Sequence, residues 1–177
     1  MNPIQWKIAS EMDVPNVVEL VNKAYRGAAS EKGWTTESHL LSGQRTDAEA
    51  VREMVSDEDS CILLAQSDSG GVSGCVYLRT LPSGAAYLGM LTVDPERQAG
   101  GIGRQLLARS EQIVRERWKA AAIEMTVLIQ RDELIAWYVR RGYRRTGRFE
   151  EFPYGDERFG IPLTRELRFE ILRKNLR

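Results

Sequence analysis

Residues 85–104 read AAYLGMLTV-DPERQAGGIGR, and the next residues, QLLARSEQIV, carry apolar positions at helical spacing. An apolar, strand-like run leaves through Pro95, crosses Gly100, Gly101 and Gly103 within four positions, and enters a helix. Strand, glycine turn and helix start form a geometry that holds phosphate groups. Glycines let the backbone approach a ligand closely, and the first N–H groups of a helix have no acceptor within it. Two phosphate-binding patterns fail on particular residues. No Gly-x-x-x-x-Gly-Lys-Ser/Thr occurs, and Gly101-Ile102-Gly103 is followed by Arg104, Gln105 and Leu106, without the third glycine of a dinucleotide loop. On shape alone a structural turn and a binding loop remain equal readings.

Outward from this turn, the chain alternates between two periods. WKIAS (6–10) reads as a strand, and Ser10 with Asp13 three positions on opens a helix through Val14, Val17, Val21 and Tyr25. Residues 27–46 read as a loop or broken helix, and 47–57 resume helical spacing. CILLAQ and VSGCVYLRT are strands joined across SDSGG. The helix after the glycine turn places Ile102, Leu106, Leu107, Ser110, Ile113, Val114 and Trp118 on one face. IEMTVLI (123–129) is too apolar to be half exposed, which predicts a central strand. A short helix ending at Gly142 and two further strands complete the order β-α-α-β-β-β-α-β-α-β-β. That order predicts one α/β (α+β) domain over 1–177, with a mixed sheet and helices on both faces.

Composition sets the class. The 177 residues are 42% hydrophobic and 28% charged, as in an ordinary globular protein. No apolar run approaches the roughly 20 residues that span a bilayer, and the N-terminus lacks a signal-peptide pattern. Cys61 and Cys75 sit in apolar strands and suit a reducing compartment, so a cytoplasmic location without membrane association is expected. No Cys/His metal pattern exists. Formal charge is zero, which argues against nucleic acid as a partner. Arginines nevertheless cluster at 140, 141, 144, 145 and 148, either as a solvated rim or as a phosphate site.

The glycine turn acquires meaning from a second motif. LTVDPERQAGGIGRQLL resembles the acetyl-CoA-binding signature of the GNAT acetyltransferases, Gln/Arg-x-x-Gly-x-Gly/Ala, through Gln98, Gly101 and Gly103. LIAWYVRRGYRRTGR resembles the family's second motif, through Tyr138, Gly142 and Tyr143. The resemblance implies a mostly antiparallel sheet of about seven strands and an enzyme that moves an acetyl group from acetyl-CoA directly to a primary amine. It implies a pantetheine arm along Leu91, Thr92 and Val93, and a pyrophosphate cradled by Gln98, Ala99, Gly100, Gly101, Ile102, Gly103 and Arg104, with help from Arg97. It makes Tyr138 the acid for the departing thiolate.

Two positions depart from the family. Tyr87 stands where some members carry a glutamate base, which leaves Glu37, Glu150, Glu151 or a water chain for that task. Arg131 stands where many carry an asparagine, and is expected to meet a phosphate or a pantetheine carbonyl. His39, the only histidine, reads as a surface residue in a polar loop. The acceptor side falls at 26–46 and 150–163, where acids beside Tyr25, Trp34, Phe152 and Tyr154 suit a cationic amine, a small molecule or a peptide amino group. A non-catalytic acyl-CoA sensor and a nucleotide-binding domain are the rival readings. The final strand pair offers an edge to a second copy, as in a homodimer.

Overall fold

A computed structural model describes residues 4–26, 30, 36–67 and 70–176; the side chains of 98, 99 and 159 lie outside the description. Strand β1 is Gln5–Ile8, helix α1 Val14–Tyr25, β2 Leu41–Ser42, and α2 Ala48–Ser56. Strands β3 (Ser60–Gln66), β4 (Val72–Thr80) and β5 (Ala86–Val93) follow, then helix α3 (Ile102–Arg117) and β6 (Ala122–Leu128). Helix α4 is Asp132–Val139, and β7 (Arg144–Glu151), β8 (Ile161–Pro162) and β9 (Arg168–Asn175) end the chain. Seven strands form one sheet in the order β1-β3-β4-β5-β6-β9-β7, while β2 and β8 pair separately. Every pairing is antiparallel except β5 with β6. The expected element order, the central place of 123–129 and the mixed sheet are all found.

The two faces are covered by different helices because the apolar stripes differ. Val14, Val17, Val21 and Tyr25 of α1 pack with Val51 of α2 against Ile62, Leu64 and Cys75. Ile102, Leu106, Leu107 and Val114 of α3 pack with Ile135 and Tyr138 of α4 against Leu63, Val76, Leu88 and Met125. Alternate residues of the same strands thus feed opposite cores, as the period of two requires. The entry to α1 is fixed as its sequence predicts: the Ser10 backbone N–H donates to Asp13 Oδ2 at 2.7 Å, and Lys7 bonds the same carboxylate.

Two irregularities shape the middle of the sheet. Pairing of β4 with β5 slips between Cys75 and Tyr77, and Met90 opposite adopts φ 53°, a conformation rare outside glycine. The β5–β6 ladder consists of Ala86↔Ile123 and Tyr87↔Glu124, after which the strands part. Gly74 on β4 permits the close packing next to this opening. A Cβ there would lie 2.9 Å from Leu106 Cδ1 and 2.9 Å from the Thr92 carbonyl oxygen.

The last strand is an interior one. It lies between β6 and β7, so of the closing pair β7 alone offers a free edge. The stretch 27–46 is outside the description at 27–29 and 31–35; its later part forms a turn and β2 rather than a helix.

Since the Thr92 carbonyl is backbone and cannot yield, Gly74→Ala is expected to lower the unfolding free energy by about 1–3 kcal/mol. Denaturant unfolding measures it, and an unchanged midpoint would show that α3 sits less tightly on β4 than described.

Candidate active site

The parting of β5 from β6 opens a cavity of about 480 Å³. Leu88 to Leu91 line one wall, Met125 to Leu128 the other, and Tyr138 of α4 lies within it. Its far side is built by Tyr25, Glu37, Arg45 and Arg131, with Glu150 to Pro153 at the β7 end. Two segments separated by over a hundred residues close this end together. Leu41 and Ser42 pair with Pro162 and Ile161, the Leu163 N–H donates to the Leu40 carbonyl at 2.9 Å, and Arg158 meets Asp47 at 3.5 Å.

The glycine turn follows β5, the strand that lines one wall of this cavity. Gly101 adopts φ 70°, a left-handed conformation that glycine takes without strain, and α3 begins at the next residue. Its first intrahelical bond runs from the Gln105 N–H to the Gly101 carbonyl at 3.2 Å, so by helix geometry the preceding N–H groups have no acceptor within the helix. The loop is held from outside by Lys23, which bonds Asp94 at 3.0 Å, and by Arg97, whose guanidinium donates to Ser73 Oγ at 3.0 Å. The backbone at Gln98 and Ala99 belongs to a 3-10 turn, Pro95–Gly100. Thr92 and Val93 are buried, with Thr92 Oγ1 bonded to the Met90 carbonyl, so any role of theirs runs through the backbone as expected.

Of the five clustered arginines, two are engaged elsewhere. Arg145 grips the buried Glu170, and Arg148 shares Glu124 with Arg173. Arg141 packs its guanidinium 3.6 Å from the centre of the Trp137 ring. Burial, then the adjacent charges of Arg140 and Arg104, push that guanidinium down from its ordinary value. The charges of Arg104, on the first turn of α3, and of Arg140, just beyond α4, thus reach Arg141. Neither sequence separation nor helical phase reveals that meeting, which depends on how α3 and α4 pack.

Tyr138 is buried, its ring edge-on to Trp137 and Tyr143 at 5.1 and 5.7 Å. Its hydroxyl has no hydrogen-bond partner among the described residues, although it lines the cavity. Burial drives the phenol well above its ordinary pKa, and the charge of Arg131 opposes this only in part. The group stays protonated at any working pH. Tyr25, missed as a site residue beyond its aromatic character, donates its hydroxyl to the Leu91 carbonyl at 3.0 Å and so fixes the bulged part of β5. Tyr87 spans the opening, its hydroxyl 3.1 Å from Thr126 Oγ1.

Glu37 corrects two sequence expectations. It is buried and accepts from Arg26 at 2.7 Å and from Arg131 at 3.0 Å. Burial pushes its carboxyl up, but the charges of Arg131, Arg45 and Arg26 more than offset this and hold it below the usual range. A carboxylate so stabilised is a poor proton acceptor, and it is no free partner for a cationic amine. The same pair commits Arg131, so phosphate binding by that guanidinium would compete with Glu37. His39 is exposed and outside the cavity lining, and Trp34 lies outside the described residues.

The model of the acetyltransferase (GNAT) family matches residues 17–147. The chain belongs to the GNAT acetyltransferase family. Similar solved structures include a GNAT acetyltransferase from Staphylococcus aureus Mu50, at 15% identity over 99% of this chain and 100% of that one, TM-score 0.69. The ribosomal-protein-S18-alanine N-acetyltransferase of Escherichia coli matches at 14% identity, over 98% and 94% of the chains, TM-score 0.70. The yncA acetyltransferase of Salmonella typhimurium, solved with its cofactor acetyl-CoA, matches at 17%, over 99% and 95%, TM-score 0.71. Among curated proteins no sequence match is found. This GNAT protein is an N-acetyltransferase that uses acetyl-CoA.

Acetyl-CoA suits the residues present: a glycine turn at a helix start offers backbone donors, Arg104 stands on the first turn of that helix, and the strand before the turn lines a cavity that also holds Tyr138. Among the described residues no helix is long and apolar enough to cross a membrane.

Glu37 supplies a pH signature. Its lowered pKa means its contribution to stability is present above the ordinary carboxylate value near ~4.3 and is lost as pH falls through the folded value. Glu37→Gln is expected to cost about 3–5 kcal/mol at neutral pH, since two buried guanidiniums lose their counter-charge, and to flatten the acid limb of stability against pH. Urea melts of both proteins from pH 7 down to pH 3 check it; parallel curves would contradict the buried ion pair.

Proposed function

We propose that this GNAT enzyme acetylates the primary amine of a small molecule in the cavity between β5 and β6, with Tyr138 acting on the leaving sulfur. The observation that carries the proposal is a buried phenol with no protein partner among the described residues, in the cavity lined by β5, the strand that leads into the glycine turn. The pyrophosphate rests on the backbone of Gln98 to Arg104, Arg104, Arg140 and Arg141 take further phosphate charge, and the pantetheine arm runs along Leu91 to Val93.

The reaction needs no covalent enzyme intermediate. The amine, having lost a proton to water or to the exposed Glu150 or Glu151, attacks the thioester carbonyl. A C–N bond forms, an oxyanion develops beside the β5 backbone near Leu91, and the C–S bond breaks. Tyr25 presets that backbone by bonding the Leu91 carbonyl. The departing thiolate, with a conjugate pKa near ~8.5, takes a hydrogen bond from Tyr138, and the proton released by the new amide nitrogen restores the balance. Because burial raises the Tyr138 pKa, its part is to hold charge on sulfur as a donor while the amide proton is passed on. It does not ionise ahead of the reaction.

The stitched loops at the acceptor end support a small acceptor over a peptide. A chain end would have to thread between segments tied by the β2–β8 ladder and the Arg158–Asp47 pair.

Tyr138→Phe keeps the ring packing and removes the donor. It is expected to lower kcat by about 100-fold or more, with the KM for acetyl-CoA nearly unchanged. Thiol release on a panel of amines measures both, and turnover equal to the parent enzyme would reject the assignment.

A further inference from the structure

Around Glu37, its one buried carboxylate, the acceptor end of the cavity has a local excess of positive charge, while the exposed Glu150 and Glu151 stand apart at the β7 end. Arg26 from the end of α1, Arg45 from the segment before α2 and Arg131 from the start of α4 converge on Glu37. The side chains of Arg26, Glu37 and Arg131 are 4%, 10% and 7% exposed, so water screens this excess weakly. Arg26 and Arg131 are held by Glu37.

Arg45 differs from them. Its backbone is clamped, because Asn22 Oδ1 accepts from the N–H groups of Arg45 and Thr46 at 2.7 and 3.1 Å. Its guanidinium lies 5.4 Å from the centre of the Tyr25 ring, the same tyrosine that reaches the Leu91 carbonyl. Among the described residues no carboxylate pairs with it. Arg45 also borders a neighbouring hollow with Asp47, Glu53 and Asp57, yet Asp47 is bonded to the Ala50 N–H and to Arg158. The Arg45 charge is instead felt by Glu37 and Tyr25. A guanidinium fork held over the Tyr25 ring in the cavity lining is suited to a planar or tetrahedral oxyanion.

We infer that the acceptor is an anionic amine, an amino acid or an amino acid-like compound whose carboxylate or phosphonate is received by Arg45 on the wall set by Glu37. This rests on the small-amine reading above and narrows it. The oxyanion offsets the excess charge of the arginine wall, while the amine reaches the side lined by Leu91 and Glu150. Of the acids behind the sequence expectation of a cationic acceptor, Glu37 is already taken by two arginines. A wall of this sign disfavours polyamines.

The test compares matched acceptors in the thiol-release assay. The twenty amino acids and a set of aminoalkylphosphonates are run against descarboxy amines, such as isoamylamine for leucine and cadaverine for lysine, with spermidine and an alanine-ended tripeptide. At least one anionic amine is expected to be acetylated with kcat/KM at least tenfold above its neutral counterpart. For that acceptor, Arg45→Ala is expected to raise KM about 10- to 100-fold with kcat within about threefold, and Arg45→Lys to recover part of it. The KM for acetyl-CoA and the melting temperature of the variant report whether the pocket survives. Turnover confined to neutral amines, polyamines or the peptide, no turnover of any anionic amine, or an unchanged KM in a folded Arg45→Ala variant overturns the inference. Calorimetry with acetyl-CoA separates the two levels. Binding with peptide or polyamine turnover refutes the anionic acceptor and keeps the acetyltransferase, whereas no binding removes the reading beneath it.

Discussion

A parallel strand pair that closes for two residues and then opens is the constraint on which the remaining structure depends. Strands β5 and β6 are joined through α3, and that crossover makes them parallel in a sheet otherwise antiparallel. The left-handed backbone at Met90 and the register slip opposite it turn β5 away from β6, and Tyr25 secures the turned segment through the Leu91 carbonyl. The crossover that forces the parallel pairing also carries the glycine turn. The opened strand edge and Tyr138 therefore share one cavity, and the backbone donors at the start of α3 follow the same strand along the chain. A sheet that zipped fully would satisfy more hydrogen bonds and leave no room for a cosubstrate.

Charge organises the other end. Glu37 is the hub at which three segments meet: the end of α1, the loop before α2 and the start of α4. Burying one carboxylate among several guanidiniums fixes those segments relative to each other, because removing any member leaves charge in a low-dielectric wall. The same arrangement leaves the carboxylate chemically quiet. Of the acids read as candidate bases, Glu37 is thus the one tied up by arginines, while Glu150 and Glu151 stay exposed at the β7 end.

Much of the fold was legible along the chain. The strand and helix periods, the helix entry at Ser10 and Asp13, and the apolar face from Ile102 to Val114 are local patterns, and each appears where its spacing predicts. The short strands β2 and β8 were not legible. Two-residue strands carry no period, and Leu41 with Pro162 find each other only once the sheet has brought 36–46 beside 152–163. The placement of β9 inside the sheet was hidden for the same reason, since strand order is set by packing and not by succession. The five clustered arginines are neighbours in sequence but have different partners. Alternate residues on β7 point to opposite faces, so Arg145 and Arg148 reach Glu170 and Glu124, while Arg141, on the turn beyond α4, feels the charge of Arg104.

What the sequence by itself determined is the donor. Glycines at 100, 101 and 103 after a buried strand, with Tyr138 and Gly142 downstream, specify backbone geometry and one side chain, and such features are local enough to be read from spacing. The acceptor side was decided by tertiary structure alone. The residues that line the cavity there include Tyr25, Arg26, Glu37, Arg45, Arg131 and Glu150, and the meaning of each depends on which charges burial brings near it. Composition sums those charges to zero over the whole chain, but the wall around Glu37 holds three arginines and one buried glutamate, with Glu150 and Glu151 apart at the β7 end, and electrostatic energy in a weakly screened wall answers to that local arrangement.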